Sequence, residues 1–240
     1  MRYKQKEMFV WLLSAFSITR SVAQLPNTLP KNEFGLIVIN STNLYRLSVA
    51  EDSLKKMVAI DDYITGISTN LIYATSNNFT HQVLYKHPKV YLRLAAAKAL
   101  KAVADELQSQ RLGILLFDAY RPYYITKTMW QIVPDDRYAA NPSKGSGHNR
   151  GIAVDLTLID LQTKKELAMP TTFDDFSEKA HHNYMQLDSI VLANRQLLKI
   201  VMEKYGFIAL NTEWWHYYLP NASKYELLDF NFKQMNKIVK

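Results

Sequence analysis

The sequence predicts an α+β fold, a single domain with a central, mainly antiparallel sheet flanked by helices. Two long segments carry apolar residues at helical spacing, and short apolar runs bounded by turn residues are typical of strands. The polar connection at residues 159–170 has the character of a hairpin, which joins antiparallel strands. We find no internal repeat, low-complexity segment or linker in the 240 residues.

The first 23 residues resemble a signal peptide. Arg2, Lys4 and Lys6 precede an apolar run of about eleven residues, and small residues end the segment at Ala23. A membrane-spanning helix needs about 20 apolar residues, so we expect cleavage rather than the alternative of an N-terminal anchor. Residues 24–240 would then form one exported, periplasmic domain with no stable membrane anchor.

Composition narrows the class of partner. Removing the leader takes away four basic residues and one acidic residue, which lowers the formal net charge from +7 to +4. Basic residues do not cluster among aromatics, so nucleic-acid binding has little support. The chain has no cysteine, which excludes disulfides.

Apolar periodicity and turn residues predict the secondary-structure elements in chain order. Strands are predicted at 35–40, 70–75, 113–117, 207–210 and 214–219, and helices at 88–110, 123–132 and 188–205. Asp188 is the predicted N-cap of the last of these helices, and Gly206 ends it. Residues 224–240 fit an amphipathic terminal helix or a loose tail.

Two short windows carry the residues of chemical interest. The first, SGHNRGIAVD at 146–155, leads from His148 through a turn to Asp155, a charge inside an apolar run. Such a carboxylate is costly unless it is paired. The second window places Glu213 and His216 around two tryptophans. Two histidines and two carboxylates are more than one structural ion pair needs.

This set of residues suits a catalytic zinc. Such a site has three nitrogen or oxygen ligands from the protein and one open position, and a hydrolase needs a base as well. Spacings of seven and three residues are odd, so in an unbroken strand each pair would point to opposite faces. Each pair must therefore straddle a turn, a bulge or a strand end. The pattern leaves open which carboxylate is the ligand and which is the base.

Together these motifs resemble the zinc D-alanyl-D-alanine dipeptidases of the VanX type, relatives of the D,D-carboxypeptidases. The resemblance includes IYATSNNFT (72–80), FDAYRP (117–122), FDDFSEKAHH (173–182) and NRQLL (194–198), and it covers most of the chain after about residue 55. It implies one Zn²⁺ per chain, with His148, Asp155 and His216 as the ligands. Glu213 would be the general base, and Arg121 would stabilise the transition state.

The substrate contacts are also implied by the resemblance. Asp174 would meet the free amino group of the substrate, and Ser146 and Tyr73 are further candidates within the matching segments. Packing is the simpler interpretation of Tyr73. The adjacent His181 and His182 point in different directions in any regular element, so we predict a structural or supporting role for them.

The predicted function is hydrolysis of the small dipeptide D-alanyl-D-alanine. A D,D- or L,D-carboxypeptidase acting on peptidoglycan stems is the first alternative, and a catalytically silent zinc-binding module is the second. Glu213 together with Arg121 favours an enzyme, because a structural zinc site needs neither residue. The oligomeric state stays open.

Overall fold

The computed structural model describes residue 29 and residues 31–240, so the predicted signal peptide lies outside the described part. The helices are α1 (Thr42–Glu51), α2 (Ile60–Tyr63), α3 (Leu94–Ser109), α4 (Tyr123–Ile132), α5 (Ser189–Lys204) and α6 (Phe232–Val239). The strands are β1 (Val38–Ile39), β2 (Met57–Ala59), β3 (Ser68–Thr69), β4 (Tyr91–Arg93), β5 (Leu112–Asp118), β6 (Ala153–Asp160), β7 (Ile208–Ala209), β8 (His216–Tyr218) and β9 (Leu227–Leu228). Within this part, no helix has the length and apolar character needed to cross a membrane.

The central sheet has five strands in the order β3-β5-β6-β8-β7. Only the β3–β5 pair is parallel, and the other three pairs are antiparallel. Two small ladders lie outside it, β1 with β9 and β2 with β4. The predicted α+β class with a mainly antiparallel sheet is confirmed.

The apolar core forms two clusters. In the larger one, α3 and α5 pack on the sheet, and residues such as Leu100 and Leu198 share the cluster with Val154 and Leu156 of β6. The smaller cluster joins α1, α4 and α6. Because side chains alternate along a strand, Asp155 faces away from its neighbours Val154 and Leu156. Strand β6 therefore buries one face in the core and presents a carboxylate on the other.

Two predictions are wrong: one helix starts later than predicted, and one predicted strand is a 3₁₀ helix. The helix does not begin at Pro88, because residues 91–93 form β4 and pair with β2, so that α3 starts only at Leu94. The predicted strand at 70–75 is instead a 3₁₀ helix, Ile72–Ala74, which follows the two residues of β3. At residues 91–93, pairing with β2 decided between two states that the apolar pattern allows.

Most other elements agree with the prediction, with shorter strands. The run at 35–40 contributes only Val38–Ile39, whereas 113–117 extends by one residue at each end to Leu112–Asp118. The hairpin at 159–170 is present, with Ile159 bridging Glu166. Asp188 occupies the N-cap position of α5, although its side chain makes no capping hydrogen bond.

The helix-or-tail alternative at the C-terminus resolves in favour of a helix. Asn231 and Gln234 form a reciprocal capping box at the start of α6. Phe232 and Met235 are buried in the smaller core cluster. The end of the chain is therefore held by packing.

Arg93 fastens the loop that precedes β6. Its guanidinium is buried and donates to the carbonyl oxygens of Arg150 (3.0 Å), Lys55 (2.8 Å) and Glu226 (3.0 Å). The backbone N–H of Arg93 also donates to the Gly151 carbonyl at 2.8 Å. Gly151 has φ +68, and a Cβ there would lie 3.0 Å from Met57 Sδ. Thus β4 holds the turn that carries His148.

We expect Arg93→Met to lower the free energy of unfolding by about 3–5 kcal/mol, since three buried carbonyls lose their donor and Glu226 loses a partner. Urea denaturation measures this. Lys101→Met is the control, because the exposed Lys101–Asp105 pair contributes about 0.3–0.5 kcal/mol. Equal effects of the two changes would contradict the role of Arg93.

Candidate active site

Three side chains from two neighbouring strands and one turn converge on a single point. His148 Nε2 lies 3.3 Å from Asp155 Oδ2 and 3.2 Å from His216 Nδ1. His216 Nδ1 lies 2.9 Å from Asp155 Oδ1. Two imidazole nitrogens and a carboxylate thus face one another, and each residue offers one ligand atom within 4.8 Å of the others.

The sheet register and the turns explain this convergence. Asp155 and His216 are directly paired residues of β6 and β8. His148 lies in the turn before β6, where Gly147 packs so closely that a Cβ would lie 2.8 Å from Ala153 Cβ. Glu213 lies in the turn before β8. The expectation that both odd-spaced pairs straddle a turn or a strand end is confirmed.

The histidine tautomer at position 148 is fixed by a backbone carbonyl. His148 Nδ1 lies 2.7 Å from the Ala119 oxygen, and a carbonyl can only accept, so Nδ1 carries the hydrogen. Nε2 faces Asp155 and His216 and is the ring nitrogen available to a metal. Such a hydrogen bond on the far nitrogen is the usual support of a metal-ligating histidine.

The donor set fits a divalent metal such as zinc. Tetrahedral coordination at metal–ligand distances of about 2.0–2.1 Å places ligand atoms about 3.3–3.4 Å apart. The two imidazole nitrogens are 3.2 Å apart, and each lies near one Asp155 oxygen, His148 Nε2 at 3.3 Å from Oδ2 and His216 Nδ1 at 2.9 Å from Oδ1, so the spacings are close to that value. Burial alone would raise the pKa of Asp155, but the two histidines more than offset it and hold that pKa below its ordinary value. A deprotonated carboxylate is the form that binds a metal.

Glu213 stands beside the three-atom cluster without joining it. Its Oε2 lies 4.0 Å from His216 Nδ1, and its side chain is 20% exposed. Burial raises the pKa of Glu213, which His216 partly counteracts. A carboxyl group with a raised pKa next to a metal-ligand set is suited to accept and return a proton.

Arg121 is held in the pocket by Asp118. Its Nε and Nη2 donate to Asp118 Oδ2 at 3.0 and 2.7 Å. The other Asp118 oxygen accepts from Tyr85 Oη at 2.8 Å. The Arg121 guanidinium also lies 5.0 Å from the centroid of the Tyr73 ring. Asp118, itself held by Tyr85, therefore orients the Arg121 side chain.

Asp174 forms an acidic corner of the same pocket. Tyr73 Oη donates to its carboxylate at 3.1–3.2 Å. Burial raises the pKa of Asp174 well above its ordinary value, and the charge of Asp155 adds to the shift. The backbone of Asp174 is left-handed, with φ 62, which is strained for a residue other than glycine. Strained residues concentrate at functional sites.

One pocket of about 230 Å³ is lined by all eight residues singled out in the sequence. They are His148, Asp155, His216, Glu213, Arg121, Asp174, Ser146 and Tyr73. This volume is below the usual range of about 300–1,000 Å³ for drug-sized ligands, which favours a small substrate. His181 and His182 do not line it, and His182 instead packs 6.1 Å from the Tyr217 ring.

Sequence reasoning missed Asn149, which organises the turn around His148. Its amide nitrogen donates to the Arg121 carbonyl (2.9 Å) and to Thr126 Oγ1 (2.8 Å). Its amide oxygen accepts from the Ser146 N–H at 3.0 Å. The only sequence signal was its position next to His148, since an asparagine in a turn has many explanations. The sequence also did not identify Phe176 and Trp215 as pocket-wall residues, because an aromatic side chain is explained equally well by core packing.

Comparisons with known proteins converge on one group. A family model described as D-ala-D-ala dipeptidase, peptidase M15, matches residues 53–237. The chain is 34% identical to the D-alanyl-D-alanine dipeptidase of Escherichia coli K12, over 69% of this chain and 86% of that protein. It is 30% identical to the enzyme of the same name from Enterococcus faecalis, over 72% and 95%.

A solved structure of the LdcB LD-carboxypeptidase is also similar, with a TM-score of 0.41 and 18% identity over 89% of this chain and 95% of that one. Similarity at this level bears on neither the substrate nor the site of this chain.

Proposed function

Because the chain belongs to the D-ala-D-ala dipeptidase family of metallopeptidases, we propose that it hydrolyses free D-alanyl-D-alanine to two D-alanines. The observation that carries the proposal is the single small pocket in which a His–Asp–His set, a further carboxylate, an arginine and a buried acid converge. A silent zinc-binding module would need only the first of these features.

His148, Asp155 and His216 would hold one Zn²⁺, because two imidazoles and one carboxylate are a ligand set typical of catalytic zinc. When bound, the ion supplies a Lewis acid that polarises a carbonyl and lowers the pKa of water. The hydrogen bond from His148 Nδ1 to the Ala119 carbonyl keeps that ring in the tautomer required.

Glu213 would act as the general base. Its carboxylate is close to the ligand set but is not one of the three mutually facing ligand atoms, so it is free to take a proton. It would accept a proton from the attacking water and return it to the amine of the leaving D-alanine. Burial raises the pKa of Glu213, so the protonated form is easier to reach in the second step.

Arg121 would stabilise the negative charge that develops on the carbonyl oxygen. Asp118 engages its Nε and Nη2, and within the described residues Nη1 makes no hydrogen bond. A donor that is already oriented and desolvated loses little on reaction, which is how such groups lower a barrier.

Asp174 would bind the ammonium group of the substrate. A buried carboxylate facing an ammonium makes a charge-assisted hydrogen bond, and Tyr73 Oη steadies the carboxylate from the other side. An N-acylated substrate brings a neutral amide instead and leaves the acid without a cation. This requirement favours a dipeptidase over a carboxypeptidase acting on stem peptides.

We place the enzyme in the periplasm, on the basis of the leader sequence. A hydrolase exported there would meet dipeptide released from the cell wall rather than the cytoplasmic precursor pool. Cell fractionation and N-terminal sequencing test this location, with a mature N-terminus expected near Gln24. Recovery of an uncleaved chain in the cytoplasm would overturn it.

Replacement of His148, Asp155 or His216 by Ala should abolish both stoichiometric zinc and activity. Glu213→Gln should keep the zinc and lower kcat by about 10²-fold or more, as expected for loss of a general base. Metal analysis and steady-state kinetics measure the two effects. His87→Asn, an exposed histidine outside the pocket, is the control and should change neither.

The zinc content of the Glu213 and Asp155 variants also tests which carboxylate is the ligand. Zinc lost from Glu213→Gln but retained in Asp155→Ala would mean that the ligand and the base have been exchanged.

The second prediction concerns the amino terminus of the substrate. Wild-type protein should cleave the free dipeptide and leave its N-acetyl form nearly intact. Asp174→Asn should lower kcat/KM for the free dipeptide by about 10²-fold and narrow that preference, while zinc stays bound. Asp175→Asn, the adjacent acid outside this pocket, is the matched control. Efficient wild-type hydrolysis of the acetylated dipeptide would favour a carboxypeptidase.

A further inference from the structure

Asn149 follows the first predicted metal ligand in sequence, is fully buried (0% exposed), and does not line the pocket. Its amide nitrogen donates to the Arg121 carbonyl at 2.9 Å and to Thr126 Oγ1 at 2.8 Å. Its amide oxygen accepts from the Ser146 N–H at 3.0 Å, and its own N–H donates to Ser146 Oγ at 3.2 Å. Its carbonyl accepts from the Leu228 N–H at 2.9 Å. Every polar group of this residue therefore joins one segment of the chain to another.

The neighbours of the Asn149 side chain allow it one orientation. The Arg121 carbonyl can only accept a hydrogen bond, and the Ser146 N–H can only donate one. A rotated amide would place oxygen against oxygen and N–H against N–H, and both contacts would be repulsive. A carboxylate at this position has no donor, and a hydroxyl has only one. The donors and the acceptor of an asparagine side chain therefore match these neighbours.

The amide of Asn149 acts on the backbone of Arg121, the residue that would stabilise the oxyanion. The Arg121 carbonyl accepts from Asn149, and the Arg121 N–H donates to the His148 carbonyl at 3.2 Å. Both backbone groups of Arg121 are thus bonded to consecutive residues of the metal-ligand turn. The guanidinium is held separately by Asp118 at 3.0 and 2.7 Å. Arg121 is therefore tied to the ligand turn at its backbone and to the end of β5 at its side chain.

The segment that carries Arg121 lies between β5 and α4, where no ladder or helix hydrogen bond fixes it. The next residue, Pro122, has no N–H to contribute. Asn149 bridges this segment to the helix, because its second amide hydrogen goes to Thr126 of α4. Loss of the amide would free the Arg121 carbonyl and let the guanidinium move relative to the ligand cluster.

From these contacts we propose that Asn149 is a positioning residue for catalysis, whose amide sets the place of Arg121 relative to the metal-ligand turn. This role rests on the proposed dipeptidase function, in which Arg121 meets the developing negative charge. Misplacement of a catalytic group by about 1 Å can lower a rate by about 10²-fold. Asn149 does not line the pocket, so it acts through Arg121 and takes no part in proton transfer.

The test is a double-mutant cycle between Asn149 and Arg121, with D-alanyl-D-alanine as the substrate. Asn149→Ala should lower kcat on the order of tenfold, with KM within about twofold and stoichiometric zinc retained, because a misplaced oxyanion donor is felt only in the transition state. In an Arg121→Ala background the same change should lower kcat by less than about twofold, since the group that it positions is already absent. Asn149→Asp keeps the shape and the acceptor but has no donor, and it should resemble Asn149→Ala.

Thr126→Val is the matched control. It removes the second acceptor of the Asn149 amide and leaves the bond to the Arg121 carbonyl in place. Urea denaturation should show that Asn149→Ala and Thr126→Val are both less stable than wild type, because each leaves a buried polar group without a partner. Only Asn149→Ala should lower kcat by more than about twofold. Equal losses of kcat in the two variants would reflect general loss of structure and would overturn the proposal.

The remaining outcomes separate this proposal from the function on which it rests. Absence of wild-type hydrolysis of the free dipeptide would overturn both. With an active wild-type protein, an equal fall in kcat on Asn149→Ala in both backgrounds would show that Asn149 does not act through Arg121. Loss of zinc from Asn149→Ala would assign the residue to the ligand turn alone. Either result would overturn the positioning role and leave the dipeptidase function standing.

Discussion

The buried carboxylate of Asp155 is the charge around which the site is arranged. It belongs to a strand whose neighbouring side chains lie in the main core, and it is only 3% exposed. An isolated charge in that position would be strongly unfavourable. Two imidazoles face it, one from the turn before its own strand and one from the paired residue of β8. The strand thus holds the carboxylate in a buried position, and the two histidines compensate its charge.

The end of β5 links the metal-ligand cluster to the arginine inside the pocket. Asp118 accepts hydrogen bonds from Tyr85, from the Ala119 N–H and from Arg121. The carbonyl of Ala119, the next residue, accepts from His148. A register shift in β5 near Asp118, opposite Asp155, brings these groups to the pocket side. One irregular strand end therefore orients both a candidate ligand and a candidate oxyanion donor, and such preorganisation lowers the reorganisation needed during reaction.

In contrast to these stabilising contacts, Asp174 is held in an unfavourable state. Asp174 has a left-handed backbone and a buried carboxyl group whose pKa burial raises well above its ordinary value. Each feature is unfavourable in the free protein, and conformations of this kind persist only where the surroundings enforce them. Phe173, its neighbour, stacks on Phe117 at 4.8 Å and meets Trp215 at 5.4 Å. That aromatic packing holds the residue in place, and a ligand cation would relieve the electrostatic part of the strain.

The sequence by itself determined the fold class, the helices α4 and α5, and eight of the residues that line the pocket. Helical periodicity is local, and paired His–carboxylate windows have few structural explanations. The other four pocket residues followed from the resemblance of their motifs to the dipeptidase family. The sequence could not determine that residues 91–93 form a strand, or that 70–75 contain a 3₁₀ helix, because those short apolar runs suit more than one conformation. Pairing with β2 makes residues 91–93 a strand. The partners of Asn149 also required the tertiary structure. Polar side chains in loops acquire a role only from the chain segments packed against them, and those segments are distant in sequence.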